Sequence, residues 1–142
     1  MRRFCENEAA NLILSSFAGR AEKDGITLNV QGTLPAFILV SDSDLCVILS
    51  NALENAIHAC RPLVLGGVAC TIDVLFYMRE NKLFLQITNP CAEEPSFENG
   101  IPVSNQPDHG IGVQSICAIV QQYKGVCSFL AQNGQFILRL SI

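Results

Sequence analysis

Charged residues are scarce in this sequence, at 15% of 142 residues, and they sum to a formal net charge of −4. Lysine and arginine form no cluster, so the phosphate contacts that nucleic-acid binding requires are missing. No apolar run reaches the roughly 18 residues of a membrane-spanning helix. The first ten residues, MRRFCENEAA, lack the apolar core of a signal peptide. These absences exclude nucleic acid as the main partner and predict no direct contact with a membrane.

Metal-binding patterns are also missing, although the sequence has seven cysteines. The number is odd, no C-x-x-C pair occurs, and there are only two histidines, so a zinc site of ordinary ligand spacing is excluded. Cys46, Cys60 and Cys117 fall within helical patterns and are expected to be small buried apolar residues. Cysteines of this kind predict a reducing, cytoplasmic environment.

Hydrophobic residues, in contrast, make up 49% of the chain, enough for one domain over residues 1–142 with a sizeable core. Apolar spacing predicts three helices, the first capped by Asn7, the second begun at Asp42 and the third begun at His109. Gly25 and Pro62 are expected to end the first two helices. The strand-like runs are Ile26–Val30, Ala36–Val40, Val68–Met78, Lys82–Thr88, Val126–Ala131 and Gln135–Ile142.

The order of these segments predicts an α/β (α+β) fold, a two-layer sandwich of a mixed, mostly antiparallel sheet covered on one face by three helices. Two hairpins are expected, because the polar turn Arg79–Asn81 and the pair Asn133–Gly134 each separate two strand-like runs. Residues 89–109 lack periodicity and include four prolines and Gly100. A structureless connection of about 20 residues is either a functional loop or a plain mobile one, and both alternatives stay open at this point.

The second predicted helix has an unusual polar face. Its apolar residues fall on one arc, whereas Asn51, Asn55 and His58 fall together on the opposite side, at i, i+4 and i+7. Asparagine is a poor helix former and costs roughly 0.5–0.7 kcal/mol relative to alanine. Amide oxygens are neutral ligands that can coordinate Mg²⁺ beside phosphates and water. The two asparagines therefore indicate a functional face.

The third predicted helix opens with the sequence His109-Gly110-Ile111-Gly112. A helix N-terminus offers unpaired backbone N–H groups and the positive end of the dipole, and glycine lets an anion approach closely. A phosphate site is one interpretation and a flexible entry to a helix is the other. The Lys and Ser/Thr of a P-loop are missing, and the motif follows a loop, which excludes a dinucleotide fingerprint.

Together these motifs resemble the GHKL ATPase superfamily. They are Asn51–Ala56 (NALENA) in a helix, a strand ending at a polar residue, a proline-rich loop, and His109–Val113 (HGIGV) opening a helix. Within the superfamily, the chain is similar to the ATP-binding catalytic domain of sensor histidine kinases of the quorum-sensing type. The resemblance covers nearly the whole chain and implies a Bergerat-type ATP-binding fold, with ATP and Mg²⁺ as cofactors.

The resemblance also implies roles by position. Asn55 matches the Mg²⁺-coordinating asparagine, and Asn51 matches the upstream asparagine near the phosphates. Asn89 stands where the family has the aspartate of D-x-G-x-G that binds the adenine amino group, but Asn89-Pro90-Cys91 lacks both glycines. Residues 89–109 would form the ATP lid. The implied nucleotide-binding residues are Asn51, Asn55, His58, Asn89, His109, Gly110, Ile111, Gly112 and Val113.

Position 51 bears on the reaction. The hydrolysing branch of the superfamily carries a glutamate four residues before the Mg²⁺ asparagine, as general base for water, whereas Asn51 cannot take up a proton at neutral pH. Glu54 lies about 100° of helix rotation from Asn55 and is expected at the family's adjacent acidic position. No catalytic side chain is therefore assigned, and transfer of the γ-phosphoryl group to an acceptor supplied from outside is favoured.

By resemblance, the acceptor is a histidine on the dimerisation helices of the parent kinase, because the only histidines here are His58 and His109. A response regulator would act downstream in two-component signalling. The domain would be cytoplasmic, in a parent that is an integral membrane protein. Two alternatives remain open: a GHKL ATPase that hydrolyses ATP as a conformational switch, and a docking module whose nucleotide site has degenerated.

Overall fold

Three helices lie over one face of a five-stranded sheet. The computed structural model describes residues 3–103 and 109–142, except for the side chains of residues 109–111. The helices are α1 (Glu8–Lys23), α2 (Asp42–Leu65) and α3 (His109–Gln122). The strands are β1 (Ile26–Gly32), β2 (Cys70–Arg79), β3 (Lys82–Pro90), β4 (Ser96–Glu98), β5 (Ile101–Val103), β6 (Val126–Gln132) and β7 (Gln135–Ser141).

The main sheet has the strand order β1-β2-β3-β7-β6, and β4 pairs with β5 in a separate small hairpin. Only β1 and β2 are parallel; the other neighbours in the main sheet are antiparallel. The predicted two-layer fold with a mixed, mostly antiparallel sheet is therefore confirmed. Among the described residues, no helix combines the length and the apolar character needed to cross a membrane.

Sequence periodicity explains how the two layers meet. Alternate residues of β2 and β3 are buried, from Ile72 to Phe76 and from Leu83 to Ile87, and they face the helices. The apolar arc of α2 is buried against them, including Leu45, Leu49 and Leu53 at 0% exposure. Burial of one such side chain contributes roughly 1.5–3 kcal/mol. The polar side of α2 is thereby directed away from the core.

Capping groups fix the helix ends. The Asn7 side chain accepts a hydrogen bond from the Ala10 N–H at 3.0 Å, as the predicted N-cap should. Ser41 caps α2 in the same way, through the Asp44 N–H at 3.1 Å. The Tyr123 hydroxyl, just beyond α3, accepts from the Ser41 N–H and donates to the Asp44 carboxylate at 2.6 Å. This contact ties the end of α3 to the start of α2.

The sequence predictions for Ala36–Val40 and for Pro62 were wrong. Ala36–Val40 is not a strand but an irregular segment in which Phe37 is 94% exposed, because it has no strand beside it to complete a hydrogen-bond ladder. Pro62 does not end α2, which continues to Leu65. Pro62 cannot donate to the His58 carbonyl, but its exposed position in the last two turns keeps its ring out of the packed core.

The segment predicted to be structureless contains the hairpin β4–β5. Asn99 and Gly100, with φ of 53° and 77°, form its turn, so a second Asn-Gly signal was present in the sequence. β3 also extends through Pro90. Residues 104–108 of the predicted lid lie outside the described residues. Cys60 is buried as expected, whereas Cys46 and Cys117 are only half-buried, because each lies at the border of its helix's apolar arc.

Replacing Gly32 by alanine is expected to destabilise the fold by at least ~2 kcal/mol. Gly32 ends β1 with φ +96°, and an added Cβ would lie 1.9 Å from the Phe76 carbonyl oxygen. The matched control is Gly19→Ala on the exposed surface of α1, where nothing lies within 4 Å and alanine should stabilise the helix by ~0.5–1 kcal/mol. Urea unfolding of both variants measures the difference, and equal effects would contradict the expected clash.

Candidate functional site

An open cleft of about 640 Å³ lies beside the polar side of α2. Four of the residues singled out from the sequence line it, although they come from three distant parts of the chain: Asn55, His58, Asn89 and Val113. The other walls come from the loop after β3, from β5 and from β7. The fold thus gathers both motif-bearing helices and the end of the central strand β3 around one cavity.

Helix α2 supplies Asn55 and His58 to this cleft. They lie three residues apart, so they share one helix face, and the neighbouring Ala56 and Ile57 are buried in the core at 1% exposure. Asn55 is half-buried and His58 is exposed. Pro62, one turn further along, also lines the cleft. Because the opposite side of α2 is fixed in the core, these polar groups are held at a rigid wall.

Asn51 lies one turn before Asn55 but does not line the cleft. Its Nδ2 donates to the Val47 carbonyl at 2.9 Å within the same helix. Its oxygen faces α3 closely: a Cβ added at Gly112 would lie only 3.1 Å from Asn51 Oδ1. Asn51 and Gly112 therefore set how near the first turn of α3 comes to α2.

The start of α3 completes this side of the site. The helix begins at His109, so the backbone of the HGIG motif forms its first turn, as predicted. The side chains of His109 and Ile111 lie outside the described part of the structure. Val113, only 6% exposed, lines the cleft. A helix N-terminus next to an open cavity is a favourable position for an anionic group.

Asn89 is nearly buried, at 2% exposure, on the floor of the cleft. Its Nδ2 donates to the carbonyl oxygen of the next residue, Pro90, at 2.9 Å. The amide nitrogen has two N–H groups and this bond uses one of them, while Oδ1 is available as an acceptor. The Asn89 amide can therefore accept a hydrogen bond from an amino group through Oδ1, and its second N–H is still able to donate.

Phe136 and Cys91 also line the cleft, although the sequence analysis did not assign either of them to the nucleotide site. Phe136 on β7 lies directly opposite Asn89 in the antiparallel register, and its ring packs on Phe129 with centroids 6.1 Å apart. Cys91 follows β3, and burial raises the pKa of its thiol, with the charge of Glu94 adding to the effect. The position of Phe136 in the site depends on strand register, because Phe136 lies two residues after the Asn133–Gly134 turn and pairs with Asn89 across the sheet. That turn was recognised, but its distance from Asn89 in space was not.

Glu54 points away from the cleft. Its carboxylate forms two hydrogen bonds with the Arg20 guanidinium on α1, at 2.8 and 3.0 Å. These bonds hold the pKa of the Glu54 carboxyl below its ordinary value, although burial opposes them. Arg61 similarly pairs with Asp24 at 3.1 Å and is not part of the cleft lining. Neither side chain is positioned to activate a water or bind a phosphate in the cleft.

The oxygen donor that Asn55 offers to the cleft suits a hard divalent cation. Among residues 3–103 and 109–142, no group of three His, Cys, Asp or Glu side chains could hold a metal by itself. The Asn55 amide offers a single neutral oxygen at the cleft wall. Mg²⁺ fits such a site, because it takes few protein ligands and completes its shell with phosphates and water.

Known proteins share this architecture. The model of the GHKL domain matches residues 41–142, which is well over half of the chain, and the chain therefore belongs to the GHKL domain family. Its fold is that of histidine kinase catalytic domains. No match was found among the curated proteins.

Several solved structures resemble the whole chain. The nucleotide-free catalytic domain of histidine kinase ThkA is 15% identical, with a TM-score of 0.75 over 95% of this chain and 91% of that one. The mycobacterial sensor histidine kinase MprB is 17% identical, with a TM-score of 0.69 over 94% and 93%. The histidine kinase AdeS of Acinetobacter baumannii is 16% identical, with a TM-score of 0.65 over 94% and 62%. At these identities the likeness establishes the fold.

Proposed function

We propose that this chain is the ATP- and Mg²⁺-binding catalytic domain of a sensor histidine kinase. It would transfer the γ-phosphoryl group of ATP to a histidine on separate dimerisation helices, in two-component signalling. The observation that carries the proposal is the meeting of Asn55, Asn89 and the start of α3 around one cleft in a GHKL domain. In this proposal, Asn55 is the ligand for Mg²⁺, Asn89 accepts a hydrogen bond from the nucleotide base, and the N-terminus of α3 faces the phosphates.

Each element has a distinct task in this proposal. Asn55 would hold Mg²⁺ beside the phosphates. The bound ion would neutralise part of the negative charge of the phosphates. The backbone of Gly110 and Gly112 faces the phosphates at the positive end of α3. Residues 89–109 act as the lid over the nucleotide. His58 stands near the phosphates on the wall formed by α2.

The base would be adenine. Asn89 takes the position of the family's adenine-binding aspartate, and its Oδ1 can accept a hydrogen bond from the 6-amino group of adenine while one N–H of Nδ2 is held by the Pro90 carbonyl. Adenine presents an amino group there, whereas guanine presents a carbonyl oxygen, which would face the Asn89 oxygen without a hydrogen bond. Phe136, across from Asn89, offers an apolar ring beside the base. One amide thus takes the role that the aspartate has in the family's motif.

Phosphoryl transfer is favoured over hydrolysis by the surroundings of the cleft. Asn51 cannot act as a general base, and Glu54 is bound by Arg20 on the far side of α2. No described side chain is therefore assigned to water activation. The chain would hold ATP in position and leave the nucleophile to its partner helices, with a response regulator receiving the phosphoryl group afterwards. The domain is proposed to be cytoplasmic, within a membrane-integrated parent.

The test is phosphotransfer from γ-labelled ATP to an added dimerisation-helix fragment of the parent, with Mg²⁺ present. We expect label on that fragment and little release of inorganic phosphate by this chain alone. Glu54→Gln should leave both results unchanged. Steady ATP turnover by the isolated chain that disappears in Glu54→Gln would identify a hydrolysing switch instead. Absence of nucleotide binding up to millimolar concentration would contradict every enzymatic proposal and favour the degenerate docking module.

A further inference from the structure

A second cavity, of about 420 Å³, lies on another side of α3. It opens between α3, β6 and the turn of the β4–β5 hairpin at Asn99–Ile101. Among the described residues, it shares no lining residue with the nucleotide cleft. Two thiols line it, Cys117 from α3 and Cys127 from β6. The proposal for the nucleotide cleft makes no use of this cavity or of either cysteine.

The two thiols form a pair. The side chains of Cys117 and Cys127 line the same cavity from two separate elements, and each thiol shifts the pKa of the other. Both residues are half-buried, and both line the cavity. No charged side chain lines the cavity in the part of the chain that the structure describes. The pair therefore places two soft donors in one uncharged, mostly apolar opening.

Disulfide chemistry is poorly supported at this pair. Burial raises the pKa of both thiols, that of Cys127 to about 12. Cys117 raises the pKa of Cys127 further, whereas Cys127 partly lowers that of Cys117. Thiols with raised pKa values are largely protonated at neutral pH and attack disulfides slowly. A soft metal ion does not need a preformed thiolate, because it displaces the thiol protons as it binds.

The number of donors restricts the metal further. Within the described residues, no third His, Cys, Asp or Glu joins the pair to make a group that could hold a metal. Zn²⁺ normally requires four ligands, so two thiols do not make a zinc site. A monovalent d¹⁰ cation is satisfied by two thiolates, and Cu⁺ is the biological ion that selects soft sulfur ligands.

We infer that Cys117 and Cys127 form a two-thiolate binding site for a soft monovalent cation of the Cu⁺ class, in the cavity between α3, β6 and the β4–β5 hairpin. Binding forms two metal–sulfur bonds, breaks two S–H bonds and releases two protons to solvent, with no change of oxidation state. The site joins α3 to β6. Cys117 lies one helical turn after Val113, which lines the nucleotide cleft.

The experiment titrates the reduced chain with Cu⁺ under anaerobic conditions, in competition with a chromophoric Cu⁺ chelator. We expect one tight equivalent that is weakened by more than about tenfold in Cys117→Ser and equally in Cys127→Ser, since each variant removes one of two ligands. Cys46→Ser is the matched control, because Cys46 is also a half-buried helical thiol but has no thiol partner. Circular dichroism checks that each variant is folded.

X-ray absorption of the copper-loaded, unsubstituted chain provides a second readout that does not depend on variants. Two sulfur neighbours and no nitrogen neighbour are expected. Retention of the tight equivalent in both variants, or its equal loss in Cys46→Ser, would overturn the inference. So would the absence of a tight equivalent in the unsubstituted chain, and rapid formation of a Cys117–Cys127 disulfide by oxidised glutathione would then identify a redox pair.

Discussion

Replacing Asn55 by alanine is expected to remove the Mg²⁺-dependent part of nucleotide affinity while leaving the fold intact. In the proposed function, the amide oxygen of Asn55 is the ligand for Mg²⁺ at the cleft wall, and alanine supplies no oxygen in its place. Interactions with a charged partner are worth roughly 1.5–3 kcal/mol, so we expect about a 10- to 100-fold loss of affinity for an ATP analogue with Mg²⁺. Calorimetric titration with Mg²⁺ and with a chelator separates the metal-dependent part.

Two features make this prediction specific to the metal. Alanine is a better helix former than asparagine, so Asn55→Ala should not destabilise α2. Asn29→Ala is the matched control, because Asn29 bonds to Asp73 at 2.9 Å and is not among the residues that line the cleft. Its nucleotide affinity should equal that of the original chain. Unchanged Mg²⁺-dependent affinity in Asn55→Ala would show that another group holds the metal.

Replacing Asn89 by leucine is expected to abolish the preference for ATP over GTP. Leucine is similar in size but removes the acceptor, so the adenine amino group would be buried without a partner, at a cost of about 1–3 kcal/mol. We expect roughly a 10- to 100-fold loss of ATP affinity. GTP affinity should stay at its low value, since the Asn89 oxygen offers nothing to a guanine carbonyl. Competition of both nucleotides against a fluorescent ATP analogue measures the ratio.

Asn89→Asp tests the same position with a side chain that keeps the acceptor oxygen, which leucine removes. A carboxylate accepts but cannot donate, so the preference for adenine should be kept, although the bond to the Pro90 carbonyl is lost. Thermal unfolding of both variants separates effects on stability from effects on base selection. An unchanged ATP-to-GTP ratio in Asn89→Leu would mean that the base does not contact Asn89, and that the cleft recognises its ligand elsewhere.

Local chemistry was sufficient for the parts of the fold that depend on near neighbours. The N-cap at Asn7, the hairpin around Asn133–Gly134 and the polar face of α2 were all predicted correctly, because capping, turn conformation and helical period act over a few residues. The same reasoning failed at Ala36–Val40. Five apolar residues suit a strand, but a strand also needs a neighbour with which to share hydrogen bonds.

Pro62 shows a second limit of local rules. Proline was expected to end α2, yet the helix continues for three residues beyond it. A proline inside a helix lacks a backbone N–H donor, and its ring crowds the carbonyl four residues earlier. The free-energy cost of this crowding is smaller where no other element packs against the helix. Pro62 is exposed and borders the cleft, so its ring lies outside the packed core. The sequence alone therefore did not predict that Pro62 lines the cleft.

The sequence by itself determined which residues carry polar chemistry, because Asn51, Asn55 and Asn89 stand out from apolar surroundings by type and spacing. Only the tertiary structure decided what each one faces. It put Asn55 and Asn89 on one cleft, turned Asn51 toward Gly112, and bound Glu54 to Arg20 on α1. The physical reason is that these contacts join residues far apart in the chain, and packing of α1, α2 and α3 on the sheet fixes their distances.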